Sequence, residues 1–186
     1  MAEWRTARRL DPLNQLYNAR VAMMLSFMGR FTDAEAAARQ ALELDSTNAQ
    51  ARSELAIALA LQGHYAEAIV TFPPDTADLH PLNFGGPLGY TFGLAGRRAE
   101  ARGIEARLRR HAREHYVDPV ALAFVAMGQH DTASALTWLE LGNRDRSFFA
   151  WLIGILPYFA PLHGNPRFER MIKAMGVVEV QPHAAR

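Results

Sequence analysis

The residues best suited to chemistry are two histidines and a glutamate near the middle of the chain. His111 and His115 are four residues apart, and Glu114 stands next to the second histidine. Because residues four apart share one face of a helix, both imidazoles could bind the same metal ion there. Glu114 would then be placed to act as a general base. This spacing raises a metal-dependent hydrolase as one hypothesis for the protein.

The order His-x-x-Glu-His resembles that of the inverted zinc metallopeptidases, but the surrounding residues argue against a metal site. Arginines stand before the motif at positions 107, 109 and 110 and within it at position 113, and their charge would repel Zn²⁺. No acidic helix follows to supply a third ligand, and the chain contains no cysteine. We therefore interpret His111, Glu114 and His115 as a solvated helix face, and we predict no catalytic residue, no metal site and no cofactor.

The same segment is rich in arginine, from Arg97 to Arg113. Such a surface can contact phosphates, but it lacks the interleaved aromatic residues and the groove-reading motif of a nucleic-acid-binding protein. The glycines at 85, 86, 89 and 93 do not form the Gly-x-x-x-x-Gly-Lys-[Ser/Thr] signature of a phosphate loop. We expect a solvated or interdomain face and no direct contact with nucleic acid.

The composition favours one ordinary domain without a membrane segment. The 186 residues carry 20 Lys and Arg against 19 Asp and Glu, so the net charge is +1 and any charge-based binding must be local. No stretch reaches the ~18 consecutive apolar residues of a membrane span. The amino-terminal region shows no signal-peptide pattern. We expect a soluble, cytoplasmic protein with no membrane partner.

A sequence repeat predicts the helices on which the residues named above lie. Residues 29–36 are echoed by residues 63–69 one 34-residue period later, with Phe31 matched by Tyr65. The pattern predicts two antiparallel helices per period, joined by a short turn at the glycine that opens each segment. Since one helix pair cannot bury its apolar face alone, neighbouring pairs must stack.

The Gly-x-[Tyr/Phe]-x-x-Ala pattern, the later Ala41 and the ending Leu10-Asp11-Pro12 resemble the tetratricopeptide repeat family. The resemblance implies an all-α solenoid of antiparallel helix pairs with a carboxyl-terminal capping element. It also implies that the chain binds a protein or peptide and is not an enzyme. Because Ala7 and Pro12 fit the end of a repeat, we expect the chain to start within a repeat of a longer protein.

We predict a single repeat domain over residues 1–176 and a tail over residues 177–186. Prolines and glycines make residues 73–87 a loop. In the last copy of the repeat, the spacing assigns the turn glycine to Gly128 and the following alanine to Ala133. The predicted units are a partial repeat at 1–14, then repeats at 15–48, 49–72, 88–115 and 117–143, and a cap at 147–176.

Residues 88–176 are similar to the carboxyl-terminal region of bacterial multidomain regulators. The similarity is carried by Tyr116-Val117-Asp118-Pro119, Ala135-Leu136-Thr137-Trp138-Leu139 and Asn165-Pro166-Arg167-Phe168. In those proteins the repeats follow a winged-helix DNA-binding domain, a nucleotide cyclase domain or a protein kinase domain. The resemblance implies an interaction or sensory module for signalling or transcription regulation, with an effector domain upstream in the same polypeptide.

In the tetratricopeptide family the first helix of each repeat lines a groove that holds a peptide or a partner helix. Carried over by register, the groove residues would be Ala19, Met23, Phe27, Ser53, Ile57, Leu61, Tyr90 and Leu94, with Ser26, Ala60 and Gly93 beside them. The Lys and Asn of a carboxylate clamp are absent, and the mostly apolar set favours a hydrophobic or amphipathic ligand. The alternative is that residues 151–168 fill the groove as a lid.

A small-molecule sensor is the alternative function. Its closed pocket would lie near Tyr90, Phe92, Trp138 and Trp151. A homodimer is a further expectation, on the condition that the incomplete first repeat leaves Trp4 and Leu10 exposed.

Overall fold

A computed structural model describes residues 15–73, 85–147 and 149–175 of the chain. The regular structure in these ranges is helical, and no strand occurs among them. The α-helices are α1 (Gln15–Phe27), α2 (Phe31–Leu44), α3 (Ala49–Leu61), α4 (Tyr65–Thr71), α5 (Gly86–Leu94), α6 (Arg98–His111), α7 (Pro119–Gly128), α8 (Thr132–Arg144) and α9 (Pro166–Ala174). Short 3₁₀ helices at Ala150–Leu152 and Pro157–Leu162 lie between α8 and α9. None of these helices has the length and apolar character needed to span a bilayer.

The helices pack as antiparallel pairs that stack on their neighbours. The pairs are α1 with α2, α3 with α4, α5 with α6, and α7 with α8; between pairs, α2 packs on α3, α4 on α5 and α6 on α7. Small side chains allow the helices to approach closely, and the alanine five residues after each turn is fully buried. These alanines are Ala34, Ala68, Ala101 and Ala135. The stack confirms the predicted all-α solenoid of helix pairs.

The pairs turn through one hydrogen-bonded motif. Gly29, Gly63 and Gly96 have φ angles of +72°, +87° and +74°, in the left-handed region that glycine adopts without strain. The N–H of Arg30 reaches back to the carbonyl of Leu25, and the same bond recurs after the other two glycines. This is the Schellman arrangement that ends a helix at a left-handed residue. The turn glycines at 29 and 63 are therefore confirmed.

The turn of the last pair departs from the sequence prediction. The spacing assigns its glycine to Gly128, but the left-handed residue is His130, with a φ of 59°. The N–H of Asp131 donates to the carbonyl of Ala126, so His130 occupies the place of a turn glycine. The buried alanine of this repeat is accordingly Ala135, whereas Ala133 is exposed. The buried alanine therefore follows the turn residue by five positions, as in the other pairs, but the turn residue is His130 and not Gly128.

Gly128 is a glycine because α7 crosses α5 there at very short range. A Cβ atom on Gly128 would lie 2.3 Å from the carbonyl oxygen of Tyr90. On the other helix, a Cβ atom on Gly93 would lie 2.4 Å from the carbonyl carbon of Gly128. Both distances are well inside van der Waals contact, so the two backbones meet directly and no side chain fits between them.

Helix α5 starts earlier than the sequence predicts. The prolines and glycines predict a loop over residues 73–87, but α5 begins at Gly86 and Pro87 lies in its first turn. Proline is tolerated there because a first-turn N–H has no partner within the helix. Residues 74–84 lie outside the described ranges. The predictions on Trp4, Ala7, Leu10, Pro12 and the tail 177–186 also fall outside them.

Residues 149–175, which we call the cap, fold over the end of the stack. Pro157–Leu162 packs on α7 and α9 packs on α8, and Phe159 and Phe168 are fully buried. Just before the cap, the Ser147 hydroxyl hydrogen-bonds the Asp118 carboxylate at the start of α7. Within the cap, Arg167 donates to both carboxylate oxygens of Glu140 at 3.0 and 2.8 Å. Apolar burial and these polar contacts fix the cap against the last helix pair.

Candidate partner-binding pocket

A pocket lies where the first helices of the stacked pairs meet the cap. It is lined by Met23, Ser26 and Phe27 of α1, Glu54, Ile57 and Leu61 of α3, Pro87 of α5, Phe124 of α7, and Phe149, Leu156, Pro157 and Tyr158 of the cap. The volume is about 40 Å³. At roughly 10–15 Å³ for each water-sized group, the pocket has room for about three such groups and not for a drug-sized molecule.

Several of the predicted groove residues come together in this pocket. Met23, Phe27, Ile57 and Leu61 line it, although α1 and α3 are separated along the chain by α2. Because these side chains share one wall, the register that places them on the same side of the stack agrees with the structure. Their role in binding a partner stays a prediction.

The remaining predicted groove residues lie elsewhere. Ala19 is 1% exposed and Ser53 is fully buried, so neither offers surface to a partner. Tyr90 is also buried, and Leu94 packs against the apolar core without lining the pocket. These positions contribute to helix packing, and their assignment to a binding groove stays a prediction.

The cap covers part of the face that the sequence assigned to a groove. Tyr158 packs edge-on against Tyr90, with ring centroids 5.0 Å apart, and against Phe124 at 4.4 Å. Phe159 stacks on Phe124 at 5.2 Å. Of the two alternatives for this face, a lid is therefore present over α5 and α7. Toward α1 and α3 the cap leaves a gap, which is the pocket.

Half-buried apolar side chains surround the mouth of the pocket. Met23 and Phe27 of α1 and Leu61 of α3 are only partly covered, as is Phe149 of the cap. Next to them, Met28 is 52% exposed. Flexible methionine and aromatic side chains in such a position adapt to the shape of an apolar ligand.

A buried carboxyl group lines the pocket. Glu54 is 4% exposed, and burial raises its pKa from 4.5 to about 8, because a low-dielectric environment disfavours the charged form. A hydrogen bond donated by Gln50 and the positive charge of Arg20 lower the pKa, but they do not overcome burial. At neutral pH most of the Glu54 carboxyl groups are therefore protonated.

A tyrosine of the cap shares this environment. Burial raises the pKa of Tyr158 well above 10, and negative charge on Glu54 and Tyr90 raises it further. The Tyr158 hydroxyl is thus neutral throughout the physiological range. Charge in this part of the molecule is controlled by Glu54.

Ser26 presents a second polar group to the pocket. It is 2% exposed, and its hydroxyl has no hydrogen-bond partner within the part of the chain that the structure describes. A buried hydroxyl without a partner costs roughly 1–3 kcal/mol. Ser26 and Glu54 line the same small space. The pocket therefore combines apolar walls with the Glu54 carboxyl group, which is bonded to Gln50, and the Ser26 hydroxyl, which has no partner among the described residues.

Sequence reasoning placed Ser26 on the correct side of the stack and missed Glu54. Glu54 is three residues before Ile57, so the two side chains share a face of α3. The available signal was a single carboxylate within a helix whose other residues are mostly apolar. A charged residue in such a helix is normally on the solvent side, and here it is on the side that faces the cap.

The histidine motif does not form a metal-binding face. α6 ends at His111, residues 112–114 form a turn, and the rings of His111 and His115 stack at 4.4 Å with 9° between their planes. In stacked rings the nitrogen lone pairs lie in parallel planes, so they do not converge on one ion. The described residues contain no group of three or more His, Cys, Asp or Glu side chains that could hold a metal.

The aromatic residues suggested for a small-molecule pocket lie apart from the pocket found here. The Arg97 guanidinium lies 4.8 Å from the centre of the Phe92 ring, and the Arg109 guanidinium lies 5.0 Å from that of Trp138. Trp151 is 52% exposed. None of these aromatic rings lines the pocket between α1, α3 and the cap.

A comparison with protein-family models matches residues 28–73 to the tetratricopeptide repeat. This match supports the interpretation of the chain as a tetratricopeptide repeat protein. No curated protein and no solved structure gave a significant match. The matched segment contains α2, α3 and α4, and thus the tetratricopeptide helix that carries Glu54, Ile57 and Leu61.

Tetratricopeptide repeats generally mediate contacts between proteins, since their stacked helices form extended concave surfaces. The fold is typically a scaffold for interaction and not a catalytic one. In this chain the face formed by the first helices of the stacked pairs carries the pocket. The similarity of residues 88–176 to bacterial regulators lies outside the matched segment and stays a prediction.

Proposed function

We propose that this protein is an interaction module that binds an extended peptide or a helix of a partner protein at the mouth of the pocket. The observation that carries the proposal is the half-buried apolar rim of Met23, Phe27 and Leu61 on one side and Phe149 of the cap on the other. Apolar surface around a concave opening is a common feature of sites that bind a partner segment.

The cap restricts what can bind. Because Tyr158 and Phe159 occupy the face of α5 and α7, a partner segment has access to α1 and α3 and to the edge of the cap. The volume of about 40 Å³ limits the inserted part to the end of one side chain. The site therefore suits a short segment with one anchoring residue better than a small-molecule ligand that must be enclosed.

A regulatory role is the finer part of the proposal. The resemblance of residues 88–176 supports a place behind an effector domain in a bacterial regulator. A bound segment would contact the cap as well as α1 and α3, and the cap is joined to α8 by the ion pair between Arg167 and Glu140. Since α1 lies on the side of the upstream domain, binding would then bias how α1 is held against the cap, and with it the attached domain.

The experiment uses peptides selected from a random-sequence display library on the full chain. Fluorescence anisotropy of the selected peptides is compared for the wild-type protein, Leu61→Asp and Val70→Asp. Leu61 lies at the pocket mouth, whereas Val70 is 80% exposed on α4 and lines no part of it. We expect Leu61→Asp to weaken binding at least tenfold and Val70→Asp to leave it unchanged.

Thermal unfolding followed by circular dichroism establishes that both variants are folded. If Leu61→Asp is folded and binds the selected peptides as well as the wild-type chain, the proposed site is wrong. Loss of binding only in Val70→Asp would move the interaction to the outer helices.

A further inference from the structure

The mostly apolar lining of the pocket includes two buried polar residues. Ser26 and Glu54 are both more than nine-tenths buried, and both line the space between α1, α3 and the cap. The Ser26 hydroxyl has no partner within the described residues. Buried polar groups in folded proteins are normally hydrogen-bonded, so an unpartnered hydroxyl on a residue that lines a small pocket suggests a ligand that completes its bonding.

The chemistry of the two groups selects the charge of that ligand. A carboxylate only accepts hydrogen bonds, and a serine hydroxyl can accept as well as donate. A ligand with several donors and a positive charge therefore suits the bonding capacity of both groups. Arg20 on α1 attracts Glu54 electrostatically, but among the described residues no ion pair joins them and Arg20 is exposed. A cation that pairs directly with Glu54 would therefore come from another molecule.

The size and bonding of the pocket distinguish between the cationic side chains. The space of about 40 Å³ accepts about three water-sized groups, which corresponds to an ammonium group and the two methylenes before it. An arginine guanidinium prefers to bond both oxygens of a carboxylate. Oε1 of Glu54 already accepts the hydrogen bond from Gln50, so a guanidinium would compete with Gln50. The compact ammonium of lysine can bond the other carboxylate oxygen alone and leave the hydrogen bond from Gln50 in place.

The walls fit the rest of a lysine side chain. Met23, Ile57 and Leu61 offer apolar contacts along the path from the mouth to Glu54. Lysine commonly buries its methylene chain against apolar surface while its ammonium reaches a polar group.

We propose that the pocket takes the ammonium end of a lysine side chain from the bound partner, with the ammonium on Glu54 and Ser26 and the methylenes between α1 and α3. This inference rests on the proposed function and names the anchoring residue of the partner segment.

Binding of an ammonium is linked to the protonation of Glu54. Burial holds the pKa of this carboxyl at about 8 in the free protein, so the ammonium must displace a proton at lower pH. Among the described residues, the ionisable groups that interact with Glu54 are Arg20 of α1 and Tyr158 of the cap, with Tyr90 of α5 behind Tyr158. Their charges stay constant between pH 6 and 8 by the general ranges of these side chains. Affinity should therefore rise about tenfold per pH unit up to about pH 8 and then level off.

The test uses n-butylammonium as the probe and 1-butanol as its neutral analogue. Binding to the full chain is followed through the methyl signals of Met23, Ile57 and Leu61 and the carboxyl carbon signal of Glu54 by nuclear magnetic resonance. We expect n-butylammonium to shift these signals, with the stated pH dependence, and to lower the ionisation midpoint of Glu54 by about one pH unit or more. The affinity for 1-butanol should not change with pH in this way.

Two variants separate the pocket from general charge effects. Glu54→Gln should reduce n-butylammonium affinity at least tenfold at pH 8, whereas Glu43→Gln, which removes an exposed carboxylate from α2, should leave it unchanged. If the probe binds Glu54→Gln as well as the wild-type chain, or does not bind the wild-type chain at all, the inference is overturned and the pocket holds water.

The selected peptides distinguish failure of this inference from failure of the proposed function. Replacing the anchoring lysine of such a peptide by norleucine should weaken binding at least tenfold. Peptides that depend on Leu61 but tolerate norleucine would contradict the lysine site and leave the interaction site intact. If binding does not depend on Leu61 at all, the proposed function fails first.

Discussion

Tyr158 of the cap packs edge-on against Tyr90 of α5, with ring centroids 5.0 Å apart. Through this contact a residue near the carboxyl-terminal end of the chain closes the face of a helix in the middle of it. The same tyrosine lines the pocket next to Glu54. The cap is therefore part of the candidate binding site and not only the end of the solenoid.

Removal of the Tyr158 side chain should loosen the cap. Tyr158 is 4% exposed and contacts Tyr90 and Phe124, so Tyr158→Ala leaves a cavity in the core. We expect the free energy of unfolding to fall by about 3–5 kcal/mol, measured by urea denaturation. Val70→Ala, at an exposed position of α4, should change it by less than about 0.5 kcal/mol. A loss below about 1 kcal/mol for Tyr158→Ala would mean that the cap does not pack as described.

The stability of the protein should depend on pH through Glu54. Its pKa is about 8 in the folded chain and 4.5 is the ordinary value, so between these values the folded state holds a proton that the unfolded state releases. The contribution is complete below about pH 4.5 and is lost as the pH rises toward 8, with a slope of at most about 1.4 kcal/mol per pH unit.

Glu54→Gln is the matched variant for this dependence, because glutamine keeps the size of the side chain and cannot ionise. Urea denaturation of both proteins between pH 5 and 8 should show that the variant gains stability relative to the wild type as the pH rises. A constant difference between the two proteins over this range would show that Glu54 is ionised in the folded state.

Two glycine substitutions should have opposite effects. Gly128→Ala places a Cβ atom 2.3 Å from the Tyr90 carbonyl oxygen, so α5 and α7 must separate. We expect a loss of about 3 kcal/mol or more. Gly103→Ala, in α6 with no atom within 4 Å of the new Cβ, should raise stability by roughly 0.5–1 kcal/mol. Similar effects of the two changes on the urea midpoint would contradict the close helix crossing.

His130→Gly should stabilise the last turn. His130 has a φ of 59°, a left-handed conformation that costs a side-chain-bearing residue about 1 kcal/mol. We therefore expect the free energy of unfolding of the variant, measured by thermal denaturation, to rise by about 1 kcal/mol. Gln129→Gly, at a φ of −87°, has no such strain to relieve and should lower stability by roughly 0.5–1 kcal/mol. A destabilising effect of His130→Gly would show that contacts of the histidine side chain stabilise the fold by more than the left-handed backbone conformation destabilises it.

The fold was readable from the sequence because its signals are local. The glycine turn and the alanine five residues later recur with one period, and the helices between them follow from that register. The turn at His130 was not predicted because the repeat pattern has a glycine at this position. The nearby Gly128 is a glycine for another reason, the close contact with Tyr90. A helix crossing between distant segments leaves no periodic trace.

The candidate site was readable only in part. Register placed Met23, Phe27, Ile57 and Leu61 on one side of the stack, and the pocket joins them. Glu54 was missed because its burial depends on the cap, which folds back from far along the chain. A contact between segments so distant in sequence is not encoded in the spacing of either one.

The most direct measurement of the binding site is a methyl nuclear magnetic resonance titration of the full chain with a peptide selected on it. The signals of Met23, Ile57 and Leu61 report on the pocket, and that of Val70 reports on the exposed face of α4. We predict saturable shifts of the first three signals and none at Val70. Shifts at Val70, with Met23, Ile57 and Leu61 unchanged, would contradict a binding site between α1, α3 and the cap.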